Sequence, residues 1–184
     1  LNLQDLTIEE LREIIAQSIL LKKSHKFSKV LEGKYRALIF EKASTRTRVS
    51  FESAMTQLGG TTSFLSPNDL QLGRGEPIED TAKVISSMAD AVVLRTFSHK
   101  TIETFSEHSN IPVINGLTDL SHPCQLLADL LTFQEIRGDI QGSTVSWIGD
   151  TNNVCYSYIE ASEMLDFDIR IACPEKYRSD IIKS

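Results

Sequence analysis

No stretch of this sequence approaches the roughly 20 consecutive apolar residues that a membrane-spanning helix needs. Its first residues, Leu1-Asn2-Leu3-Gln4-Asp5, lack a basic segment leading into an apolar core, so no secretory signal is visible. They also lack a starting methionine, and the expectation is a trimmed or incompletely covered chain. Cysteine is scarce. Cys124, Cys155 and Cys173 are odd in number and widely spaced, forming neither a CxxC pair nor a disulfide ladder, which points to a reducing, cytoplasmic location. Basic charge is scarce too: 19 Lys and Arg against 25 Asp and Glu leave a net charge of −6. That balance argues against general nucleic-acid binding, whose affinity comes mainly from neutralising phosphates. Any anion must therefore be held by a local site. Internal repeats and low-complexity tracts are also missing. What remains is a chain of 184 residues, 41% hydrophobic and 24% charged, a balance typical of globular domains. It is long enough for one domain, or one domain and part of another.

Helix and strand patterns alternate along it. Thr7 and Glu10 make a capping box, with Leu6 and Leu11 placed as a hydrophobic staple. The helix that follows should bury Leu11, Ile14, Ile15 and Ile19. Tyr35 to Phe40 reads as a short apolar strand. Ser44 to Leu58 reads as a helix, because Phe51, Ala54, Met55 and Leu58 recur at helical spacing and Gly59-Gly60 stop it. Further strands are expected at Thr61 to Leu65, Ala91 to Arg95, Ile111 to Asn115, Thr144 to Gly149 and Asp168 to Cys173. Helices are expected after Pro77, at Lys100 to Ser109, at Pro123 to Arg137 and at Val154 to Asp166. This order predicts an α/β fold: a parallel sheet with helices on both faces, plus the truncated start of a second α/β domain. The stretch Arg137 to Ser143 breaks the helical pattern and restarts a sheet, so the first domain should span residues 1–137 and an incomplete second one residues 138–184.

Ligands of an open parallel sheet bind beyond the carboxyl ends of its strands. The segments that follow the first five strands all carry polar anchors: Ser44 to Arg48, Gln71 to Gly75, Arg95-Thr96, His122 to Gln125, and Asp150 to Asn153. The strongest is Ser44-Thr45-Arg46-Thr47-Arg48. Three hydroxyls and two guanidinium groups lie where a helix begins, so free N–H groups, the helix dipole and an arginine fork suit a dianionic phosphate. By spacing alone, the same residues also fit an ordinary N-capped helix with solvated arginines. His122, before Pro123, equally fits a simple cap of the helix it opens. His25, His99 and His108 read as surface residues, Cys124 as a small packing residue, and the run Lys22, Lys23, Lys26, Lys29 as a solvated helix end.

Phe40-Glu41-Lys42-Ala43-Ser44-Thr45-Arg46-Thr47-Arg48, with Ser50-Phe51-Glu52 and Leu58-Gly59-Gly60 beyond, resembles the carbamoyl-phosphate signature of the aspartate/ornithine carbamoyltransferase family. Leu70 to Glu76 with Asp80-Thr81, His122-Pro123-Cys124-Gln125, and Gly149-Asp150-Thr151-Asn152-Asn153-Val154 resemble the ornithine branch of that family. The resemblance runs from the first helix to the last residue. It implies transfer of a carbamoyl group from carbamoyl phosphate to the δ-amine of L-ornithine, giving L-citrulline and phosphate, and with it a role in arginine biosynthesis. It further implies that Ser44, Thr45, Arg46 and Thr47 hold the phosphate and that Gln71 reaches the same ligand from the neighbouring subunit of a homotrimer. Arg95, His122 and Thr47 would act on the carbonyl oxygen, Gln125 would meet the carbamoyl amide, and Asn153 would touch ornithine. The family implies no cofactor and no metal.

Two departures stand out. Thr151 replaces a glycine often seen in the Asn-Asn loop, and Tyr156 replaces a smaller polar residue. The family's later Ser-Met-Gly and His-Cys-Leu-Pro segments are absent from the sequence. Two alternatives therefore stay open: a carbamoyltransferase for another amine such as putrescine, and a fragment that binds carbamoyl phosphate without turnover.

Overall fold

In the computed structural model of the chain, residues 1–24, 28–66 and 75–179 are described. They divide into two compact units, one of Leu1 with residues 28–66 and 75–118 and the other of residues 2–24 with 119–179.

The first unit grows from two apolar runs. Tyr35-Arg36-Ala37-Leu38-Ile39-Phe40 forms β1 and Ala91-Val92-Val93-Leu94-Arg95 forms β3. Neither run alternates, and both are buried along most of their length, as strands covered on both faces must be. β2 (Thr61–Leu65) and β4 (Val113–Leu117) flank them, and all pairings in the order β2-β1-β3-β4 are parallel. The connecting helices are α2 (Thr45–Gln57), α3 (Ile78–Ser86) and α4 (His99–Glu107). On one face Leu38, Phe40 and Val93 pack with Phe51 of α2. On the other, Ala37, Ile39, Val92 and Leu94 pack with Ala82 of α3 and Ile102 and Phe105 of α4. Helices thus cover both faces, as the strand composition predicts. The order reverses between β1 and β3, so their outgoing loops diverge at a topological switch point.

One strand is displaced from its expected place. β4 runs over Val113–Leu117 rather than Ile111 to Asn115, and the ladder shifts between Leu94 and Arg95 so that Arg95 pairs with Leu117. Asn115-Gly116 looks like a turn in the sequence, yet Asn115 is buried and its Nδ2 donates to the Leu1 carbonyl at 2.9 Å. Gly116 is needed there for closeness: a Cβ would lie 3.1 Å from the Leu94 carbonyl oxygen.

In the second unit the Thr7 and Glu10 box is present in both directions, at 2.8 and 3.1 Å, and opens α1 (Ile8–Ser24). Leu11 and Ile15 of α1 join Leu126 and Leu130 of α5 (Pro123–Arg137) and Ala161 and Leu165 of α6 (Asn153–Leu165) in one core. Ile14 does not bury as expected. It is 37% exposed, because the i, i+4 stripe of Leu11 and Ile15 already faces the core and Ile14 falls to its side among Glu9, Glu10 and Glu13. Lys22, read as solvated, pairs with Glu135 of α5 at 2.6 Å.

β5 (Thr144–Ile148) and β6 (Asp168–Ala172) form a separate two-stranded parallel sheet. Only alternate residues of each strand are partly covered, and Ile148 is 85% exposed. The sequence break expected between residues 137 and 138 falls inside this unit, between α5 and β5. Among the described residues no helix is long and apolar enough to cross a membrane.

Candidate functional site

Beyond β1 the chain turns through Glu41 to Ser44 into α2. This turn is fastened to the end of β3: the N–H groups of Glu41 and Lys42 both donate to the Arg95 carbonyl, at 2.8 and 3.5 Å. The Arg95 side chain completes the tie, its Nε donating to the Lys42 carbonyl at 3.1 Å and its Nη1 to the Gly116 carbonyl at 3.4 Å. Arg95 is only 8% exposed, and burial lowers its pKa, although a guanidinium stays charged in a protein. Two of its five N–H donors are engaged among the described residues. The rest are available at the carboxyl ends of β1, β3 and β4.

Ser44 has the extended backbone of an N-cap, with φ −159° and ψ 112°. Its hydroxyl accepts the Thr47 N–H at 3.3 Å and donates to Thr47 Oγ1 at 2.9 Å, so both hydroxyls of this pair face the first turn. The two arginines separate. Arg48 donates from Nε to Glu52 at 2.9 Å and stacks 3.8 Å above the Phe64 ring, which commits it to the fold. Arg46 is exposed and makes no ion pair among the described residues. The first unit therefore brings together a capped helix N-terminus, an uncommitted Arg46 and a fixed Arg95, the donor set an oxyanion needs. Gln71 lies outside the described residues. At the near end of its loop, Thr81 is buried and donates to Glu76 at 2.9 Å.

The second unit holds the remaining expected residues. His122 is the N-cap of α5, but its side chain makes no capping hydrogen bond; its backbone N–H donates to Ser157 Oγ of α6 at 2.9 Å. Simple capping thus does not explain His122. Gln125 donates through Nε2 to Asp129 Oδ1 at 3.0 Å, and Tyr158 donates its hydroxyl to Asp129 Oδ2 at 3.1 Å. Burial first, and then Asp129, push the Tyr158 phenol up to about 12, so it stays a donor. Held this way, the Gln125 amide presents its Oε1 as an acceptor.

Of the Asn-Asn pair, Asn152 is the cap, accepting the Val154 and Cys155 N–H groups at 3.0 and 3.2 Å. Both asparagines line a cavity of about 50 Å³, together with Asp119, Leu120, Thr151, Tyr156 and Ser179. Tyr156 is held above its ordinary pKa by burial, then by Glu160 and Glu163, so it too faces the cavity as a neutral phenol.

Three groups escaped the sequence reading. His99, read as a surface residue, is buried, with Nδ1 2.8 Å from Thr118 Oγ1. Glu160 is 2% exposed, and Asp129 with Tyr158 braces Gln125. Only the four-residue spacing of Gln125 and Asp129 offered a signal. Cys155 is buried and its thiol is pushed up to about 11, which makes it a packing group rather than a nucleophile. Among the described residues no group of three or more His, Cys, Asp or Glu could hold a metal.

Comparison with known proteins adds independent findings. The carbamoyl-P binding domain model of the aspartate/ornithine carbamoyltransferase family matches residues 1–135, and the Asp/Orn binding domain model matches residues 141–183. A protein of Hydrogenovibrio crunogenus named ornithine carbamoyltransferase is 57% identical over 180 residues, covering 96% of this chain and 60% of that relative. A protein of the same name from Methylococcus capsulatus is 56% identical, covering 97% and 60%. Among solved structures, ornithine carbamoyltransferase from Pyrococcus furiosus superimposes with a TM-score of 0.92 at 47% identity, covering 98% of this chain and 59% of that one. The anabolic ornithine carbamoyltransferase of Campylobacter jejuni gives 0.90 at 45%, covering 100% and 61%. The chain thus spans about 60% of the length of the curated relatives it matches.

Proposed function

Because this chain belongs to the aspartate/ornithine carbamoyltransferase family, we propose that it forms the larger part of an enzyme that carbamoylates the δ-amine of L-ornithine. Residues 1–137 supply the carbamoyl-phosphate-binding portion and residues 138–184 the beginning of the ornithine-binding portion. The observation that carries this reading is the start of α2: a Ser44-capped N-terminus with Arg46 uncommitted, beside an Arg95 fixed to the Lys42 carbonyl with donors to spare.

The chemistry asks for this set. The dianionic phosphate of carbamoyl phosphate is met by first-turn N–H groups, the hydroxyls of Ser44, Thr45 and Thr47, and Arg46. Arg95, His122 and Thr47 donate to the carbonyl oxygen, and Gln125, its amide set by Asp129, accepts from the carbamoyl NH₂. Asn153 holds the α-amino-acid end of ornithine. The neutral δ-amine attacks the carbonyl carbon, and the charge that develops on oxygen falls on those donors. Losing one such donor costs about 10²–10³ in rate. The C–N bond forms, the bond to the phosphate oxygen breaks, and the new nitrogen gives up a proton. Phosphate leaves readily once Arg46 and the helix N-terminus carry its charge, so the scheme needs no metal and no cofactor. Holding amine and carbonyl in line supplies much of the remaining acceleration.

Gln71 is assigned to the site of a neighbouring subunit in a homotrimer, and the enzyme to the cytoplasm. The cysteine pattern supports that compartment. The test is product formation by the full-length enzyme from carbamoyl phosphate with ornithine, and separately with putrescine. We expect citrulline and phosphate in equal amounts, with ornithine the far better acceptor. Preference for putrescine would move the chain to another amine, and carbamoyl phosphate binding without any product would overturn the enzymatic reading.

A further inference from the structure

Thr151 is the buried residue of the loop between β5 and α6, 6% exposed where its neighbour Asn152 is exposed. The structure gives it work in both directions. The Thr151 N–H and hydroxyl both donate to the Tyr177 carbonyl at 3.3 Å, and Oγ1 accepts the Ser179 N–H at 2.5 Å. The loop itself is braced on each side of Thr151. Trp147 Nε1 donates to the Asp150 carbonyl at 3.0 Å, and Asn152 caps α6. Thr151 therefore ties the segment following the 3-10 turn Glu175–Tyr177 onto a rigid loop. That tie makes Ser179 one wall of the small cavity into which Asn153 and Tyr156 face.

We propose that Thr151 is a positioning residue of the amino-acid subsite: its hydroxyl holds residues 177–179 against the Asn152-Asn153 loop and so sets the fit of the α-amino-acid end of the substrate. This rests on the assignment of Asn153 to ornithine made above. Both halves of the buried hydroxyl are engaged by backbone groups, so a residue of the same size without it keeps the backbone bond to Tyr177 but takes the acceptor away from the Ser179 N–H. Glycine would keep the backbone bond to Tyr177 and lose the other two, letting the wall move. On that assignment it is the amino-acid end of the substrate, not its reacting end, that meets this wall. The hydroxyl therefore acts on recognition of the amino-acid end and leaves phosphate binding alone.

The experiment compares wild type, Thr151→Val and Thr151→Ser in the full-length enzyme. Thr151→Val keeps the volume and removes the hydroxyl. It should raise KM for ornithine about tenfold, with kcat within about twofold and the dissociation constant for carbamoyl phosphate unchanged. KM for putrescine, which has no α-amino-acid end, should stay the same. Thr151→Ser should restore the ornithine KM. Hydrogen exchange should show faster exchange of the Ser179 amide in Thr151→Val than in wild type. An unchanged ornithine KM in Thr151→Val would sink the proposal. An equal weakening for carbamoyl phosphate would reduce Thr151 to a general fold residue and overturn it as well. A wild type that makes no citrulline overturns the proposed function instead; slow Ser179 exchange would then leave Thr151 a structural tie and nothing more.

Discussion

The two parallel sheets of this chain are built from similarly short strands of opposite texture. β1 and β3 are continuous apolar runs, buried along most of their length and packed by helices on both faces. β5, Thr144-Val145-Ser146-Trp147-Ile148, and β6, Asp168-Ile169-Arg170-Ile171-Ala172, alternate, and every second residue is exposed. The difference teaches where rigidity is concentrated. The first sheet fixes Arg95 and the start of α2 by burying the strands that carry them, so the donors they hold need no induced order. The second sheet is anchored from one side only, and the precision of its loops comes from hydrogen bonds at its carboxyl end, those of Thr151 and Asn152 among them.

The largest expected effect tests that contrast directly. Leu38→Ala removes a side chain with no exposed surface from the centre of the first sheet and should cost about 2–5 kcal/mol of stability. Ile148→Ala, at an 85% exposed position of the second sheet, should change stability by less than about 0.5 kcal/mol. Urea unfolding of the 184-residue chain carrying each substitution measures both. Equal losses would show that the exposed face of β5 is covered in solution and erase the contrast.

The covered side of the second unit conceals a different cost. Glu160 on α6 is buried, its Oε2 lacks a hydrogen-bond partner among the described residues, and its carboxyl is pushed from 4.5 to about 7. Burial is the main cause. The Leu3 N–H opposes it, while Asp5 and Glu163 add to it. A raised pKa means the folded state binds the proton more tightly than the unfolded chain. This contribution is therefore complete below about 4.5 and lost as pH rises through about 7. A rise of that size corresponds to about 3 kcal/mol at most. Glu160→Gln should raise Tm at pH 8, leave it nearly unchanged at pH 4.5, and flatten the pH dependence between them. A variant melting with the wild-type pH profile would show that Glu160 is charged and solvated in the fold.

The smallest effect separates two arginines of one helix turn. Arg46→Ala should weaken carbamoyl phosphate and free phosphate binding about tenfold or more, by loss of a charge-assisted hydrogen bond, at little cost in stability. Arg48→Ala should do the reverse. It loses the Glu52 pair and the stack on Phe64, about 0.5–1 kcal/mol at a partly exposed site, with phosphate affinity within about twofold. Calorimetry with inorganic phosphate decides between them. Similar losses from both would mean that Arg48 also leaves Phe64 to serve the ligand.

Much of this architecture is legible in the residues because apolar runs with sharp boundaries leave few choices. Tyr35 to Phe40, Thr61 to Leu65, Ala91 to Arg95 and Pro123 to Arg137 are bounded in the structure as the sequence predicts. The family follows equally from the Ser44 to Arg48 and His122 to Gln125 motifs. What the pattern hides is tertiary. Asn115-Gly116 carries the chemistry of a turn but serves a bulged strand, because the partner that satisfies Asn115 is Leu1, 114 residues away. His99 looks solvent-facing until Thr118 is folded against it. Arg46 and Arg48 sit in one helix turn; the four-residue spacing to Glu52 hints at which of them is committed, but the stack on Phe64 of the neighbouring strand is tertiary and cannot be read from the sequence. Thr151 could be flagged as unusual, but its partners Tyr177 and Ser179 lie too far along the chain for spacing to connect them.

The packing of α1 carries a consequence for how the protein is made. Lys22 and Arg12 reach partners 113 and 127 residues further on, Glu135 and Asp139, and Leu11 and Ile15 share a core with Leu126 and Leu130. Every residue of the first sheet is therefore translated between α1 and the helix that covers it. At ribosomal speeds of about 5–20 residues per second, α1 waits on the order of ten seconds with its apolar stripe open to solvent. All four strands of the first sheet are synthesised within that interval, ahead of α5. Nascent chains of this protein therefore carry every strand of the first sheet before the earliest helix has its partners to dock against, and that helix is where a chaperone would meet them.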